Sequence, residues 1–368
     1  MTRLHELYDQ CGQSPWLDNL RRDWITDGRL ESMIGDGVRG ITSNPTIFAK
    51  AIEGEDDYDE QFRSLVPSMT VEEAYWELVV TDIRNALALL APLHVSSGGS
   101  DGFVSLEVAP SLAHDTTGTV TAARSLHERI GAPNLLVKVP GTEEGVPAVR
   151  QLIGEGRSIN VTLIFGIDRY DAVMEAYISG LEDYAAAGAD DLSGVHSVAS
   201  FFVSRVDTEV DSRLKALGAD GSLYGKAAVA QAKLAYELFQ ERFSGSRWQA
   251  LRDAGAHPQR PLWASTSTKN PAYPDLLYVD TLIGPDTVNT MPDATVAAFV
   301  DHGTPARTVD VNLEEAHSLL DALAAVGVDM KDVSAVLEQR GVSSFLDSWK
   351  ALLGSLEAKA AAAAGRSK

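Results

Sequence analysis

The sequence predicts an α/β fold, a closed (β/α)8 TIM barrel with additional helices at its C-terminal end. Two observations carry this reading. Short β-type runs alternate with longer segments whose apolar residues recur at helical spacing, which implies parallel strands joined by helical crossovers. Eight such runs occur in 368 residues with no long Pro/Ser linker between them, so one barrel domain is expected over 1–368. A doubly wound open sheet is the competing arrangement. No internal repeat is visible.

The eight expected strands are 14–18 (SPWLD), 38–44 (VRGITSN), 102–108 (GFVSLEV), 134–140 (NLLVKVP), 158–165 (SINVTLIF), 194–200 (GVHSVAS), 261–266 (PLWAST) and 286–291 (DTVNTM). Helical patterns are expected over 71–95, 116–130, 143–154, 167–187, 201–217, 222–242 and about 312–361. The low-complexity end, EAKAAAAAGRSK, is expected to fray over 359–368.

A barrel gathers functional groups at the C-terminal ends of its strands. Period-two alternation then says which residues share a face. In the fourth strand Leu136 and Lys138 point one way, and Leu135, Val137 and Val139 the other. The all-apolar face suits the helical layer, so Lys138 is expected inside the barrel. Ser105 and Glu107 share a face in the third strand, Asn160 and Thr162 in the fifth, and Thr42 and Asn44 in the second. Asp18 is expected to end the first strand and Ser200 the sixth. Polar groups thus converge on one volume that a purely structural barrel fills with Val, Ile and Leu.

Burying an ammonium is expensive unless it is paired or neutral. An amine held among apolar groups becomes nucleophilic and can form a Schiff base with a ketone. The protonated imine is an electron sink, so an adjacent C–C bond can break and re-form. Asp18 and Glu107 are the carboxylates placed to move protons. Asn44, Asn160, Thr162 and Ser200 suit a polyhydroxylated substrate. This chemistry requires no flavin, thiamine or metal, and no cofactor is expected.

Each residue also has a structural reading. Lys138 and Glu107 also read as a simple buried pair, Asp18 as the cap of the helix in NLRRDWITDG, and Arg205 as an i, i+4 partner of Glu209. Thr142 reads as an N-cap. His196 reads as a barrel-interior residue, His302 and His317 as isolated, and Asp190 and Asp191 as solvated loop residues. The histidines show no metal spacing.

A formal net charge of −21, from 52 acids and 31 bases, argues against nucleic acid or an anionic membrane as partner. It leaves room for a small anionic substrate held by a local basic cluster. The one cysteine, Cys11, suits the cytoplasm. The first ten residues contain no apolar signal core, and no uninterrupted apolar stretch approaches a membrane span of about 18 residues. A monomer or a homodimer fits equally well.

The segments GITSNPTIF (40–48), VSLEV (104–108), LLVKVPGTEEG (135–145), INVTLIF (159–165) and VASFFVSRVD (198–207) resemble the transaldolase family, in this order, over about residues 10–300. The C-terminal part resembles the longer members. The resemblance implies a class I Schiff-base enzyme of the non-oxidative pentose phosphate pathway. Such an enzyme moves a dihydroxyacetone unit from sedoheptulose 7-phosphate or fructose 6-phosphate to erythrose 4-phosphate or glyceraldehyde 3-phosphate. By resemblance Lys138 matches the Schiff-base lysine and Asp18 the acid/base at the donor C4 hydroxyl. Glu107 and Thr162 match the pair that handles water and proton transfer. Asn44, Asn160 and Ser200 match groups on the dihydroxyacetone hydroxyls, and Arg205 and Ser265 match phosphate ligands.

Two stretches depart from the shorter family members. ASTSTKNP (264–271) lacks the arginine close behind the serine, with Lys269 at longer spacing in its place. WLDN around Asp18 differs as well, so that match rests on its place at the end of the first strand. An aldolase that releases its three-carbon product to water, and a barrel that only binds sugar phosphates, are the alternatives.

Overall fold

The computed structural model describes residues 1–54 and 56–366. Eight strands form a closed, all-parallel barrel in sequence order: β1 (Gln13–Leu17), β2 (Gly40–Thr42), β3 (Phe103–Glu107), β4 (Leu135–Pro140), β5 (Ile159–Ile164), β6 (Ser197–Phe202), β7 (Arg260–Ala264) and β8 (Thr287–Met291). β1 pairs with β8 from Gln13↔Thr287 to Leu17↔Met291, and this seam excludes the open doubly wound sheet. The buried Gln13 amide reinforces it, donating to Thr287 Oγ1 at 2.9 Å and to the Leu282 carbonyl at 2.8 Å.

The two ends of the barrel interior differ in chemistry. Phe103, Leu136 and Val198 line a cavity at the N-terminal end, and Trp16 packs against Gly40. A Cβ on Gly40 would stand 2.5 Å from the Trp16 ring, so the indole needs a glycine there. At the C-terminal end Thr42, Lys138, Ser200 and Thr290 surround a different cavity.

The helices begin where local chemistry starts them. Thr70 and Glu73 cap 71–96 reciprocally, with Glu73 N–H donating to Thr70 Oγ1 at 3.2 Å and Thr70 N–H donating to the Glu73 carboxylate at 2.8 Å. This helix is long and apolar enough to cross a membrane by length and composition. It contacts β3, and its buried side chains include Leu78, Ile83, Ala86 and Leu90. Thr142 accepts from Gly145 N–H at 3.1 Å, the cap expected of it.

Several boundaries differ from expectation. β2 ends at Thr42, so Asn44 lies in the turn beyond it; there its side chain accepts from Ile47 N–H at 3.0 Å and caps helix Pro45–Gly54. β6 starts at Ser197 and takes in Phe201 and Phe202, so the following helix begins at Ser204 and Ser200 sits inside the strand. Asp18 follows β1 directly and caps no helix; the next one starts at Arg22. The region 312–361 holds two helices, Leu313–Ala325 and Met330–Arg366. The second continues through 359–366, where Lys359 meets Asp59 at 3.1 Å; residues 367 and 368 lie outside the described residues.

β5 carries an irregularity that periodicity does not announce. Its register against β6 shifts between Val161 and Ile164, and Leu163 takes the left-handed conformation at φ 63°. A branched apolar residue there costs of order 1–3 kcal/mol, the kind of strain that collects beside functional sites.

Candidate active site

Lys138 is 4% exposed, inside the barrel on β4. Register sets Glu107 of β3 beside it on one side and Asn160 of β5 on the other. Lys138 Nζ lies 3.3 Å from Glu107 Oε2 and donates to the Ser43 carbonyl at 3.2 Å. The Lys138–Glu107 contact is an ion-pair distance without hydrogen-bond alignment, and Glu107 Oε2 has no hydrogen-bond partner among the described residues. Burial pushes the Glu107 carboxyl up; the Lys138 charge opposes that shift and Asp18 adds to it.

Asp18 stands across the cavity. Enclosure by protein raises its carboxyl, while Lys138, the Thr42 hydroxyl and Lys269 pull it down. Thr42 Oγ1 donates to Asp18 Oδ1 at 2.8 Å and lies 2.6 Å from Thr290 Oγ1. Asn160 Nδ2 donates to Ser105 Oγ at 3.0 Å, and Ser200 Oγ donates to Asn160 Oδ1 at 2.7 Å. Ser105, Asn160 and Ser200 thus form a polar chain across three strands. Ser200 reaches the cavity wall, whereas Asn160 stands behind it. The Thr162 hydroxyl is buried without a partner among the described residues. An unsatisfied buried hydroxyl costs about 1–3 kcal/mol, so its retention on β5, two residues past the Lys138 partner Asn160, needs a reason.

The cavity of about 100 Å3 brings together Asp18, Asn44, Lys138, Ser200, Arg205, Ser265 and Lys269. Arg205 does not pair with Glu209, whose carboxylate is taken by Arg213 at 2.8 Å and by Arg340. Its guanidinium lies 5.4 Å from the centre of the Phe202 ring, and burial holds it below its ordinary value. Burial, with the nearby charge of Arg205, also lowers the Lys269 ammonium, which donates to Ser267 Oγ at 2.6 Å. Neither cation is ion-paired among the described residues. Ser265 is left-handed at φ 58°, with its hydroxyl 2.9 Å from Ser204 Oγ. The loop carrying Lys269 is tied to helix Ser204–Leu217 by Tyr273 donating to Asp211 at 2.5 Å and Tyr278 donating to Asp207 at 2.8 Å.

Larger clefts lie elsewhere, about 730 Å3 outside the barrel near Arg169 and Glu338 and about 460 Å3 at its N-terminal end; Lys138 lines neither. His196 lines the latter, stacked on His257 at 4.7 Å, and burial holds it at about 3. His302 and His317 are not isolated; Asp275 and Asp301 pair with the first and Glu237 with the second. No group of three or more His, Cys, Asp or Glu is arranged to hold a metal among the described residues.

Sequence reasoning missed Ser43, Thr290, Phe202, Ser267 and Phe345. Thr290 was open to the same alternation rule, applied to β8. Phe345 comes from the C-terminal helix, and nothing local to it signals its destination.

A closed parallel barrel with a buried lysine and carboxylates at its C-terminal end defines a class of barrel enzyme. The chain belongs to the Transaldolase/Fructose-6-phosphate aldolase family, whose model matches residues 15–356, and it groups with the transaldolases. It is 51% identical to a transaldolase of Parafrankia sp. (strain EAN1pec) over 96% of this chain and 97% of that one. It is 51% identical to a transaldolase of Thermobifida fusca over 95% and 96% of the two chains. With a transaldolase of Arthrobacter sp. (strain FB24) it shares 46% identity over 99% of both.

Proposed function

We propose that the protein transfers a dihydroxyacetone unit from sedoheptulose 7-phosphate or fructose 6-phosphate to erythrose 4-phosphate or glyceraldehyde 3-phosphate through a Schiff base on Lys138. The observation that carries this reading is the buried Lys138 beside Glu107 on the wall of a polar cavity. A buried carboxylate with a raised proton affinity is suited to take the proton from the Lys138 ammonium and free the amine.

The amine attacks the donor C2 carbonyl. Glu107 and Thr162 then manage the proton and the water lost as carbinolamine becomes imine. Asp18 takes the proton from the C4 hydroxyl, the C3–C4 bond breaks into the imine, and an aldehyde leaves. The acceptor aldehyde enters and the steps reverse, with Asp18 returning its proton. Asn44 and Ser200 hold the three-carbon hydroxyls, with Asn160 orienting Ser200. Arg205, Lys269 and Ser265 hold phosphate at the rim, where an unpaired guanidinium and ammonium side by side favour an anion against the net charge of −21.

Borohydride reduction in the presence of fructose 6-phosphate, followed by peptide mass mapping, tests this. A dihydroxyacetone-derived mass is expected on the peptide containing VKVPG. An adduct on another lysine, or none, overturns the assignment.

A further inference from the structure

The helix Met330–Arg366 crosses the C-terminal end of the barrel. It touches helix Ser204–Leu217 after β6, then β5 and the turn Pro110–Leu112, and helices Pro45–Gly54 and Val71–Ser96 after β2. Polar contacts fix it along the way: Asp332 to Arg213 at 2.6 Å, Glu338 to Arg169 at 3.2 Å, and Ser348 from Thr46 at 3.0 Å. Its seat on β5 is Gly341. A Cβ there would stand 2.9 Å from Leu163 Cδ2, on the strained residue next to Thr162, and 3.3 Å from the Phe165 ring.

Two aromatic residues follow that seat, Phe345 and Trp349, each 5% exposed. Phe345 lines the cavity that holds Lys138 and Asp18. Trp349, one turn on, meets Tyr75 edge-on at 4.7 Å and closes the gap beside Glu107 and Ser43. The proposed chemistry uses neither ring. The cavity under Phe345, about 100 Å3, has room for about three waters at roughly 30 Å3 each. That suits a three-carbon unit and falls below the roughly 300 Å3 and more of pockets for larger ligands.

We infer that Phe345 and Trp349 form a roof that keeps water from the three-carbon covalent intermediate, and so decides whether that unit goes to an aldehyde acceptor or to water. This rests on the Schiff-base reading of Lys138. The enamine left after the first aldehyde departs has two exits. In transfer, its C3 bonds to the acceptor's aldehyde carbon, the aldehyde oxygen takes a proton, and water then adds to C2 of the product imine so that the C–N bond breaks and the ketose leaves. In loss to water, C3 takes a proton, water oxygen adds to C2, and the C–N bond breaks with its electron pair going to nitrogen. One water thereby supplies the oxygen at C2 and, in net, one proton to C3 and one to nitrogen. Free dihydroxyacetone and the Lys138 amine result, with no change in oxidation state. An apolar roof that keeps water from the enamine until an aldehyde has bonded suppresses the second exit and favours the first.

The test compares Phe345→Ala and the milder Phe345→Leu with the parent protein. Free dihydroxyacetone released from fructose 6-phosphate alone is measured against transfer to erythrose 4-phosphate, with borohydride trapping in parallel. The ratio of release to transfer should rise about tenfold or more in Phe345→Ala, the equivalent of about 1.4 kcal/mol of lost discrimination, and less in Phe345→Leu. An unchanged ratio with the adduct still on Lys138 overturns the roof and leaves the Schiff base standing. No adduct in the parent protein removes the Schiff base, and the roof with it. Should Phe345→Ala fail to fold, Phe345→Leu and Trp349→Phe carry the same criterion. Both rates falling together at a constant ratio would reduce the two rings to packing.

Discussion

Lys138 of β4 and Glu107 of β3 are register neighbours whose side chains close to 3.3 Å in a space almost sealed from solvent. A charged pair so buried is poor evidence of stabilisation, because desolvation offsets the attraction. In the proposed mechanism its value lies in passing one proton between amine and carboxylate. Glu107→Gln should slow imine formation by about 10²- to 10⁴-fold, the usual range for losing a positioned acid/base, with the slow step seen in rapid-quench trapping. Near-normal trapping kinetics would return Glu107 to a structural role. Lys138→Arg should abolish trapping, since guanidinium stays protonated and is no nucleophile.

Asp18 should act later. Asp18→Asn should still form an adduct, but one retaining the whole donor carbon skeleton, read by mass after borohydride reduction. Enclosure raises the Asp18 carboxyl, so the acid limb of kcat/KM should lie above the ordinary carboxylate range and should change shape in Asp18→Asn. A profile identical to the parent's would remove Asp18 from proton transfer.

Arg205 faces the cavity rather than Glu209. Arg205→Ala should lower kcat/KM for phosphorylated donors by about 30- to 1,000-fold, on the order of 2–4 kcal/mol, as for truncating a buried charge pair. Unphosphorylated fructose should lose far less, and Lys269→Ala should show the same pattern more weakly. A uniform loss on both donors would place Arg205 outside phosphate recognition.

A stability prediction concerns Asp207, which lies behind the rim. It accepts from Ala228 N–H at 2.8 Å and from the Tyr278 hydroxyl, yet burial pushes it up to about 6 from an ordinary 3.8. Below pH 3.8 both folded and unfolded chains hold this proton, and the group contributes nothing. As pH rises toward 6 the unfolded chain ionises first, so folding loses stability, by on the order of 2–3 kcal/mol once the folded group has ionised too. Asn keeps an acceptor for Ala228 N–H and can donate to Tyr278. Asp207→Asn should therefore gain thermal stability relative to the parent at pH 8 and not at pH 4. An equal difference at both pH values would contradict this.

The barrel was legible because parallel strands buried on both faces are compact apolar runs, and because Lys138, Glu107 and Asn160 break those runs at one depth. The sixth strand was placed about three residues early for a physical reason. Phe201 and Phe202 read equally well as a strand end or a helix start, and only pairing with Trp263 and Ala264 decides between them. The short helix Arg3–Cys11 escaped because about two turns carry too little periodicity. The left-handed Leu163 has no local signature, since Leu is an unfavourable choice there. Phe345 and Trp349 lay in a segment read correctly as helical, but amphipathicity reports that a face is buried and not what buries it. Lys269 reaches the rim on the loop after β7, which sequence spacing alone cannot convert into distance.

The β1–β8 seam has a consequence during synthesis. Gln13 and Thr287 are 274 residues apart, and β1 has no partner on that side until β8 exists. At about 5–20 residues per second the ribosome needs on the order of 15–50 s to make that stretch. Throughout it a nascent chain carries an open strand edge, the surface most prone to pair with the wrong neighbour. The helix that completes the cavity emerges after β8. The residue that roofs Lys138, Phe345, is therefore synthesised after every strand of the barrel.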